Sequence, residues 1–268
     1  VTLHTNRVEL AASDSSETDG RTAQIALGEG VNLDLDAITG TTLAPATLVL
    51  DQDGAIDSAA VSRLADAAAG VTDLSLQLRS NDAVSLDTAA RADLAGLSGL
   101  DLAIVGRTFS ALDATQTASD FTLSSLDLTT REALDVDFGV TAESVSLAGG
   151  AGGTGDLLLR SALHADTIRL LAGDGAGGEG SASKIEIAAG GSLRSRSDAS
   201  AQPTRVDLIQ DAALDSAALP DAEVFGAAGV AGLDYRLESR DGAISLSAGS
   251  AAKFTGSRLD LRGQTGID

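Results

Sequence analysis

The sequence predicts an all-β fold in which short parallel strands stack as successive coils of a β-solenoid. Three observations predict this class. Aliphatic residues alternate with polar ones in very short runs, these runs recur along the chain, and aromatic residues make up only 2% of a chain that is 43% hydrophobic. A core of small branched side chains in regular layers needs few aromatic rings to fill it.

The alternating runs place Leu, Val or Ile on one side of a strand and Asp, Ser, Arg or Thr on the other, as in a strand with one buried face. They lie at 31–35, 48–50, 74–78, 100–104, 145–147, 168–170, 185–187, 206–208 and 259–261. We take one buried-face residue per repeat as its landmark, namely Leu33, Leu48, Leu76, Leu102, Leu123, Leu147, Leu170, Ile187, Leu208, Leu237 and Leu261. Ten intervals separate the first from the last, so the mean spacing is (261 − 33)/10, about 23 residues. A repeat of this size is typical of solenoids.

A more specific repeat consists of a strand, a polar turn, an Ala, an aliphatic residue and a second strand. It occurs at 48–57, 76–86 and 235–246, and in degenerate form at 126–136. Asp and Gly in the turn supply the bend. An antiparallel hairpin is the alternative. However, most of these turns are longer than two residues, and each repeat contains more than one strand. We therefore expect a coiling chain in which each strand pairs in parallel with its counterpart in the next coil.

Two segments interrupt the strand pattern and predict short helical or irregular insertions, at 58–69 and 211–228. In the first, Asp57 or Ser58 caps a helix, Val61 and Leu64 share one face, and Gly70 ends it. The second is rich in Ala and has Pro220 at an expected first helical position.

The domain organisation predicted from the sequence is one continuous solenoid over residues 1–268, because we find no linker and no Pro-rich segment. The chain begins with Val1 and contains no Met. We therefore expect a processed chain or a segment of a longer one.

The repeated template Leu-x-Leu-x-Ser-x-Asp-Gly-Ala-Ile-x-Leu, with Ala-Gly turns at 246–249 and 171–175, resembles the repeats of filamentous-haemagglutinin-like exoproteins. These are the large secreted partners of two-partner secretion systems. The resemblance spreads over most of the chain and implies a right-handed parallel β-helix. It also implies export through an outer-membrane partner, a place at the bacterial cell surface, and a role as the shaft of an adhesin or filament. The amino-terminal secretion domain of that family is not recognisable.

Composition excludes several function classes. Without Cys there is no disulfide, thiolate metal site or cysteine nucleophile. The net charge of −21 argues against binding a nucleic-acid backbone, and the basic residues form no patch, Arg194 and Arg196 being the densest pair. No run approaches the ~18 apolar residues of a membrane span, so we expect no transmembrane segment.

We assign no catalytic residue and expect no enzyme. The two histidines, His4 and His164, are far apart in sequence. A carbohydrate-active β-helix enzyme is the alternative, and it would use facing carboxylates. The candidates are the alternating pairs Asp34 and Asp36, and Asp135 and Asp137. The absence of Trp removes the usual platform for a sugar ring.

We also assign no cofactor or metal ligand, although calcium is the most serious candidate because oxygen-rich turns suit a hard cation. The alternative function is then a calcium- or glycan-binding surface-layer or biofilm module. The run 152–156 approaches the calcium nonapeptide, but its Asp156 comes one residue early. The turn carboxylates in question are Asp51, Asp53, Asp174, Glu179 and Asp241. We favour solvated carboxylates that keep the chain soluble.

Assembly follows from the expected solenoid, because the strands at its ends have unpaired edges. We therefore expect the partners to be flanking repeats of the same chain, or copies in head-to-tail contact. A host or cell-surface glycan is a candidate ligand of such a shaft.

Overall fold

The computed structural model describes residues 7–12, 23–25, 46–111, 121–174, 182–198, 201–220, 224–225, 232–254 and 257–268. The chain forms two compact units, unit 1 (Val1–Asp127) and unit 2 (Leu128–Asp268). Their boundary falls inside the strand Ser125–Thr130 and not in a linker.

In its described residues, unit 1 alternates strands with two helices. Its elements are β1 (Arg7–Ala12), β2 (Thr47–Gln52), α1 (Ser58–Ala67), β3 (Ser75–Ser80), β4 (Ala83–Ser85), α2 (Thr88–Ala95), β5 (Asp101–Gly106), β6 (Thr108–Ser110) and β7 (Phe121–Thr122). Strands β1, β2, β3 and β5 pair in parallel in that order, and β4 pairs in parallel with β6. One inward row of this sheet is fully aliphatic and buried, namely Val8, Leu48, Leu76 and Leu102.

The helices of unit 1 begin at matching caps. Asp57 accepts a hydrogen bond from the Ala60 amide at 2.8 Å, and Asp87 accepts one from the Ala90 amide at 2.8 Å. The first helix matches the expectation for 58–69 closely, and Gly70 follows it with a φ of 88°, where residues with a Cβ are strained. The second helix, α2, is not predicted from the sequence. It packs against α1.

Strand β8 (Ser125–Thr130) spans the boundary, and unit 2 continues with mostly short strands. These are β9 (Leu134–Val136), β10 (Val140–Gly149), β11 (Leu157–Leu159), β12 (Ala162–Ala172), β13 (Ile185–Ile187), β14 (Ser192–Arg194), β15 (Arg205–Gln210), β16 (Leu214–Asp215), β17 (Asp234–Ser239), β18 (Ile244–Ser245) and β19 (Arg258–Gly263). A 3-10 turn occupies Ser216–Ala218, and helix α3 occupies Ala248–Lys253.

The main sheet of unit 2 consists of β10, β12, β15, β17 and β19, paired in parallel in that order. Strand β14 pairs with the first part of β12, strands β9, β11 and β13 form a second parallel sheet, and β16 pairs with β18. One inward row of the main sheet contains five of the predicted landmarks, Leu147, Leu170, Leu208, Leu237 and Leu261. The landmark Ile187 lies instead in the second sheet.

The prediction of an all-β parallel fold is confirmed, because the described residues are mostly strands and every pairing given above is parallel. The hairpin alternative is wrong for these strands, since the second strand of the template pairs with its counterpart in another repeat, as Ile56 does with Val84. In the described ranges, no helix has the length and apolar character that crossing a membrane requires.

The second expected insertion, 211–228, is more ordered than the sequence indicates. It contains β16 and the 3-10 turn, and Asp215 caps that turn by accepting from the Ala217 amide at 2.9 Å. Further on, the Val224 amide donates to the Pro220 carbonyl at 3.0 Å, which is a helical contact. Residues 221–223 and 226–228 lie outside the described residues.

Candidate functional site

The outer face of the main sheet of unit 2, opposite the aliphatic rows, carries alternating charges. We call this arrangement the charge lattice. Three rows of in-register residues cross strands β12, β15, β17 and β19. In order, they are Thr167, Arg205, Asp234 and Arg258; then Arg169, Asp207, Arg236 and Asp260; then Leu171, Ile209, Glu238 and Arg262. Within each row every charged residue faces an opposite charge on the next strand, about 4.8 Å away.

Along β15, β17 and β19, neighbouring charges on the outer face are also opposite in sign and form ion pairs. Both nitrogens Nε and Nη2 of Arg205 donate to the Asp207 carboxylate at 3.1 Å. On β17, Arg236 donates to Glu238. On β19, Nη2 of Arg262 donates to Oδ2 of Asp260 at 2.8 Å. Charge therefore alternates in both directions of the sheet, and carboxylates such as Asp207 are surrounded by cations.

The lattice shifts the pKa values of its members in the directions that favour the charged forms. The hydrogen bond from Arg262, followed by the charges of Arg236 and Arg258, holds the pKa of Asp260 below its usual range. The hydrogen bond to Asp207, with a further contribution from Asp234, raises the pKa of Arg205. Asp260 and Arg262 are exposed enough that solvent weakens their pair, whereas Asp207 is buried.

Strand β19 forms an open edge of this sheet among the described residues. Exposure rises toward that edge, because the side chain of Asp207 on β15 is 11% exposed while that of Asp260 on β19 is 36% exposed. On the inward side, Leu259 and Leu261 are only half-buried, whereas their row partners on β17 are buried. Ile267, further along, is 51% exposed. Both faces of β19 therefore lack the cover that the inner strands have.

A shallow groove of about 430 Å³ lies at the corner beside this edge. It is lined by Glu238, Ser239, Arg240, Arg262, Gly263 and Gln264. The corner is held by polar side chains, since the Ser239 hydroxyl donates to the Ala212 carbonyl at 2.8 Å and Gln210 donates to the Ala213 carbonyl at 2.8 Å. These bonds fix the turns that keep successive strands in register.

The inward side of the last strands contains a cluster of three rings, unlike the aliphatic rows before it. Phe254 meets Phe225 and Tyr235 edge-on, with ring centroids 5.2 Å apart in each case. The Tyr235 hydroxyl donates to the Val224 carbonyl at 3.2 Å. Burial raises the pKa of this phenol. The cluster therefore fills the core beneath β17 and next to the open edge.

The turn carboxylates considered for calcium are dispersed or engaged by protein groups. Oδ1 of Asp53 accepts from the Asn81 amide group at 2.6 Å, and Oδ1 of Asp156 accepts from the Lys184 backbone at 2.9 Å. Asp51 lies on β2 and Asp241 in the turn after β17, while Glu179 lies outside the described residues. Asp174 lies two residues after the end of β12. No group of three or more His, Cys, Asp or Glu positioned to hold a metal ion occurs in the part of the chain that the structure describes.

The residues considered for an enzyme are not brought together as a described site. Asp135, on β9, forms an ion pair with Arg160 at 3.0 Å, and Asp137 directly follows that strand. His164 lies on β12, in register with Thr141 on β10 and with Arg194 on β14. His4, Asp34 and Asp36 lie outside the described residues. Arg196, of the densest basic pair, binds Glu143 at 2.7 Å.

The charge lattice and the open edge are not predicted from the sequence, although a signal was present. The runs Arg-Val-Asp at 205–207, Asp-Tyr-Arg-Leu-Glu at 234–238 and Arg-Leu-Asp-Leu-Arg at 258–262 each alternate in charge. The register that sets one run against the next can be seen only once the strands are paired.

Comparisons of the chain with models of protein families, with curated proteins and with solved structures gave no match. The function must therefore be argued from the stacked strands, the charge lattice and the open edge.

Proposed function

We propose that this chain is a structural shaft segment of a secreted bacterial cell-surface adhesin or extracellular filament, folded as a right-handed parallel β-helix. The observation that carries the proposal is the in-register parallel pairing of each main-sheet strand with the equivalent strand of the next repeat. Connections between parallel strands of one sheet are right-handed in about 98% of cases, which favours the hand. The resemblance of the repeats to filamentous-haemagglutinin-like exoproteins supports secretion through an outer-membrane partner.

The function of such a shaft is mechanical. Backbone hydrogen bonds between stacked strands run along the axis of the stack and make it stiff. Each repeat rests only on its neighbours, so length grows by adding repeats. An unpaired end strand such as β19 then serves as the joint to the next repeat. The shaft holds an adhesive tip away from the cell. A cell-surface glycan is the kind of ligand that such a tip would bind.

Small-angle X-ray scattering of the 268-residue chain tests this proposal. A compact globular protein of this length has a radius of gyration of about 18 Å. A shaft of about ten coils spaced ~4.8 Å apart is only about 50 Å long and has a similar radius of gyration, so the shape of the pair-distance distribution is the readout. The proposal predicts the skewed distribution of a short rod. The symmetric distribution of a compact particle would overturn the proposal.

Two further measurements on the same preparation separate the alternatives. A melting temperature that is unchanged by EDTA agrees with a shaft without structural calcium, whereas a lower one supports the calcium-binding module. Incubation with acidic polysaccharides tests the enzyme alternative, which requires a fall in polymer length. The shaft predicts none.

A further inference from the structure

The open edge of β19 carries a charge pattern that suits one kind of neighbouring strand. We propose that it docks, as the next parallel strand, a segment whose outer-face residues are acidic, basic and acidic in that order, with apolar residues between them. This inference rests on the proposed stacking function and specifies the partner at the joint.

The pattern follows from the charge lattice. On β19 the outer-face residues are Arg258, Asp260 and Arg262. Each row of the lattice alternates in sign from strand to strand, and like charges in directly opposed positions are destabilising. The next strand therefore needs an acid opposite Arg258, a base opposite Asp260 and an acid opposite Arg262.

The inward side of β19 sets the residues between those charges. Leu259 and Leu261 continue the buried rows of Tyr235 and Leu237 but are only half-buried themselves. An apolar residue above each of them would remove the exposed aliphatic surface from water. The complete pattern is therefore acidic, apolar, basic, apolar, acidic.

Among the paired main-sheet strands that the structure describes, β17 alone has this pattern, as Asp-Tyr-Arg-Leu-Glu at 234–238. It already fits β19 from the other side, with Asp234 opposite Arg258 and Glu238 opposite Arg262. The chain therefore shows the proposed pairing once within its own fold.

A second copy of the chain fits this edge poorly. A head-to-tail contact that stacks Val8 and Leu10 of β1 on Leu259 and Leu261 would place Arg7 on Arg258 and Glu9 on Asp260. A shift by two residues in one direction sets Arg7 on Asp260 and Glu9 on Arg262 but leaves Leu259 without an apolar partner. The opposite shift sets Glu9 on Arg258 and Leu10 on Leu259, but it places Ala11 and not a basic residue on Asp260. Two β19 edges paired antiparallel about Asp260 would set Asp260 against itself and Arg258 against Arg262. The edge therefore selects a different repeat over self-association.

A fluorescent peptide with the sequence of residues 232–240 is the probe, used with the full 268-residue chain. The control peptide inverts the three outer-face charges, giving Arg-Tyr-Asp-Leu-Arg at its centre. The control is the more cationic peptide and the chain has a net charge of −21, so non-specific attraction would favour the control. We expect the probe to bind on the order of tenfold more tightly in fluorescence anisotropy, and to protect the amides of 258–263 from hydrogen exchange.

A charge-swapped protein, Arg258→Asp with Asp260→Arg and Arg262→Asp, should reverse the preference and bind the control peptide more tightly. Its melting temperature checks that it folds, and the peptide comparison on the unmodified chain decides the question if it does not. Equal binding of the two peptides, no binding, protection elsewhere, or oligomers joined through β1 and β19 would each overturn the inference. Rod-like scattering with no peptide preference refutes this inference alone, whereas compact scattering refutes the proposed function.

Discussion

The two units build their inward rows alike but differ on the outer face of the main sheet. In unit 1, the first outer row is Arg7, Thr47, Ser75 and Asp101, in which no neighbouring residues are both charged, and among the described strands only the pair Asp51 and Arg79, in another row, sets opposite charges side by side. In unit 2, every charged residue of the lattice has an opposite charge beside it. The aliphatic rows are common to both units and hold the stack together. The outer rows differ, and they therefore determine which strand can follow which.

A second difference between the units comes from one cap motif. Ile-Asp-Ser-Ala-Ala at 56–60 and Leu-Asp-Thr-Ala-Ala at 86–90 begin the two helices of unit 1, and Leu-Asp-Ser-Ala-Ala at 214–218 recurs in unit 2. Asp215 caps as Asp57 does, yet only a three-residue 3-10 turn follows. Leu219 is extended, with ψ of 139°, because the residue before a proline is disfavoured in the helical region. Pro220 therefore stops the helix.

The largest expected effect comes from the shared inward rows. Leu208→Ala in unit 2 and Leu78→Ala in unit 1 each leave a cavity beneath a fully stacked sheet, and each should lower the free energy of unfolding of its unit by about 2–5 kcal/mol. Denaturant unfolding followed by hydrogen exchange of each segment measures this. Losses below about 1 kcal/mol in both variants would show that the rows do not hold the stack.

The next largest effect is a difference in stability loss between the centre of the charge lattice and its edge. Asp207→Asn removes a buried carboxylate held by Arg205, and should cost about 1.5–3 kcal/mol. Asp260→Asn is the matched control at the exposed edge, where we expect no measurable loss. Urea unfolding of both variants makes the comparison. A larger loss at Asp260 than at Asp207 would contradict the account of the lattice.

A smaller effect tests the cap motif. Asp57→Ala and Asp87→Ala should each cost about 1 kcal/mol, because each removes the acceptor of a helix amide. Asp66→Ala changes the same residue type on the exposed side of α1 and serves as the control. Thermal unfolding gives the difference. If the control loses as much stability as the caps, the helices do not depend on them.

The smallest change concerns pH and reports on unit 2 alone. Tyr235 is the only tyrosine, and burial raises its pKa above the ordinary value of about 10. The neutral phenol therefore contributes stability that is fully present below pH ~10 and is lost as the pH rises above it. Tyrosinate absorbance should appear only together with loss of β-structure in circular dichroism. Normal titration near pH ~10 in a folded chain would contradict the buried ring cluster.

The inward rows could be predicted from the sequence because alternation within a run identifies the buried face without knowledge of its partner. The alternation does not show which strand pairs with which, or in which sheet. Ile187 belongs to the second sheet, although its run resembles those of the main sheet. The sequence does not predict helix α2, although Leu86 and Asp87 repeat the pattern of Ile56 and Asp57, because Arg91 interrupts the apolar face of the helix.

The charge lattice could not be predicted because it depends on register between distant runs. Asp207 and Arg236 are paired on neighbouring strands, yet they are 236 − 207 = 29 residues apart in sequence. The lengths of such connections vary from repeat to repeat, so spacing alone does not set one charged residue against another. Only the pairing of the inward Leu208 with Leu237 fixes their positions.

Disulfide cross-linking tests the parallel register most directly, because the chain has no native Cys. Ser144 pairs with Thr167, and Ser146 pairs with Arg169. We predict that double cysteine variants at 144 and 167, and at 146 and 169, oxidise readily, since neighbouring strands lie about 4.8 Å apart. The crossed pairs, 144 with 169 and 146 with 167, should not oxidise. Cross-linking of the crossed pairs alone would show antiparallel strands and would contradict the stacked parallel repeat.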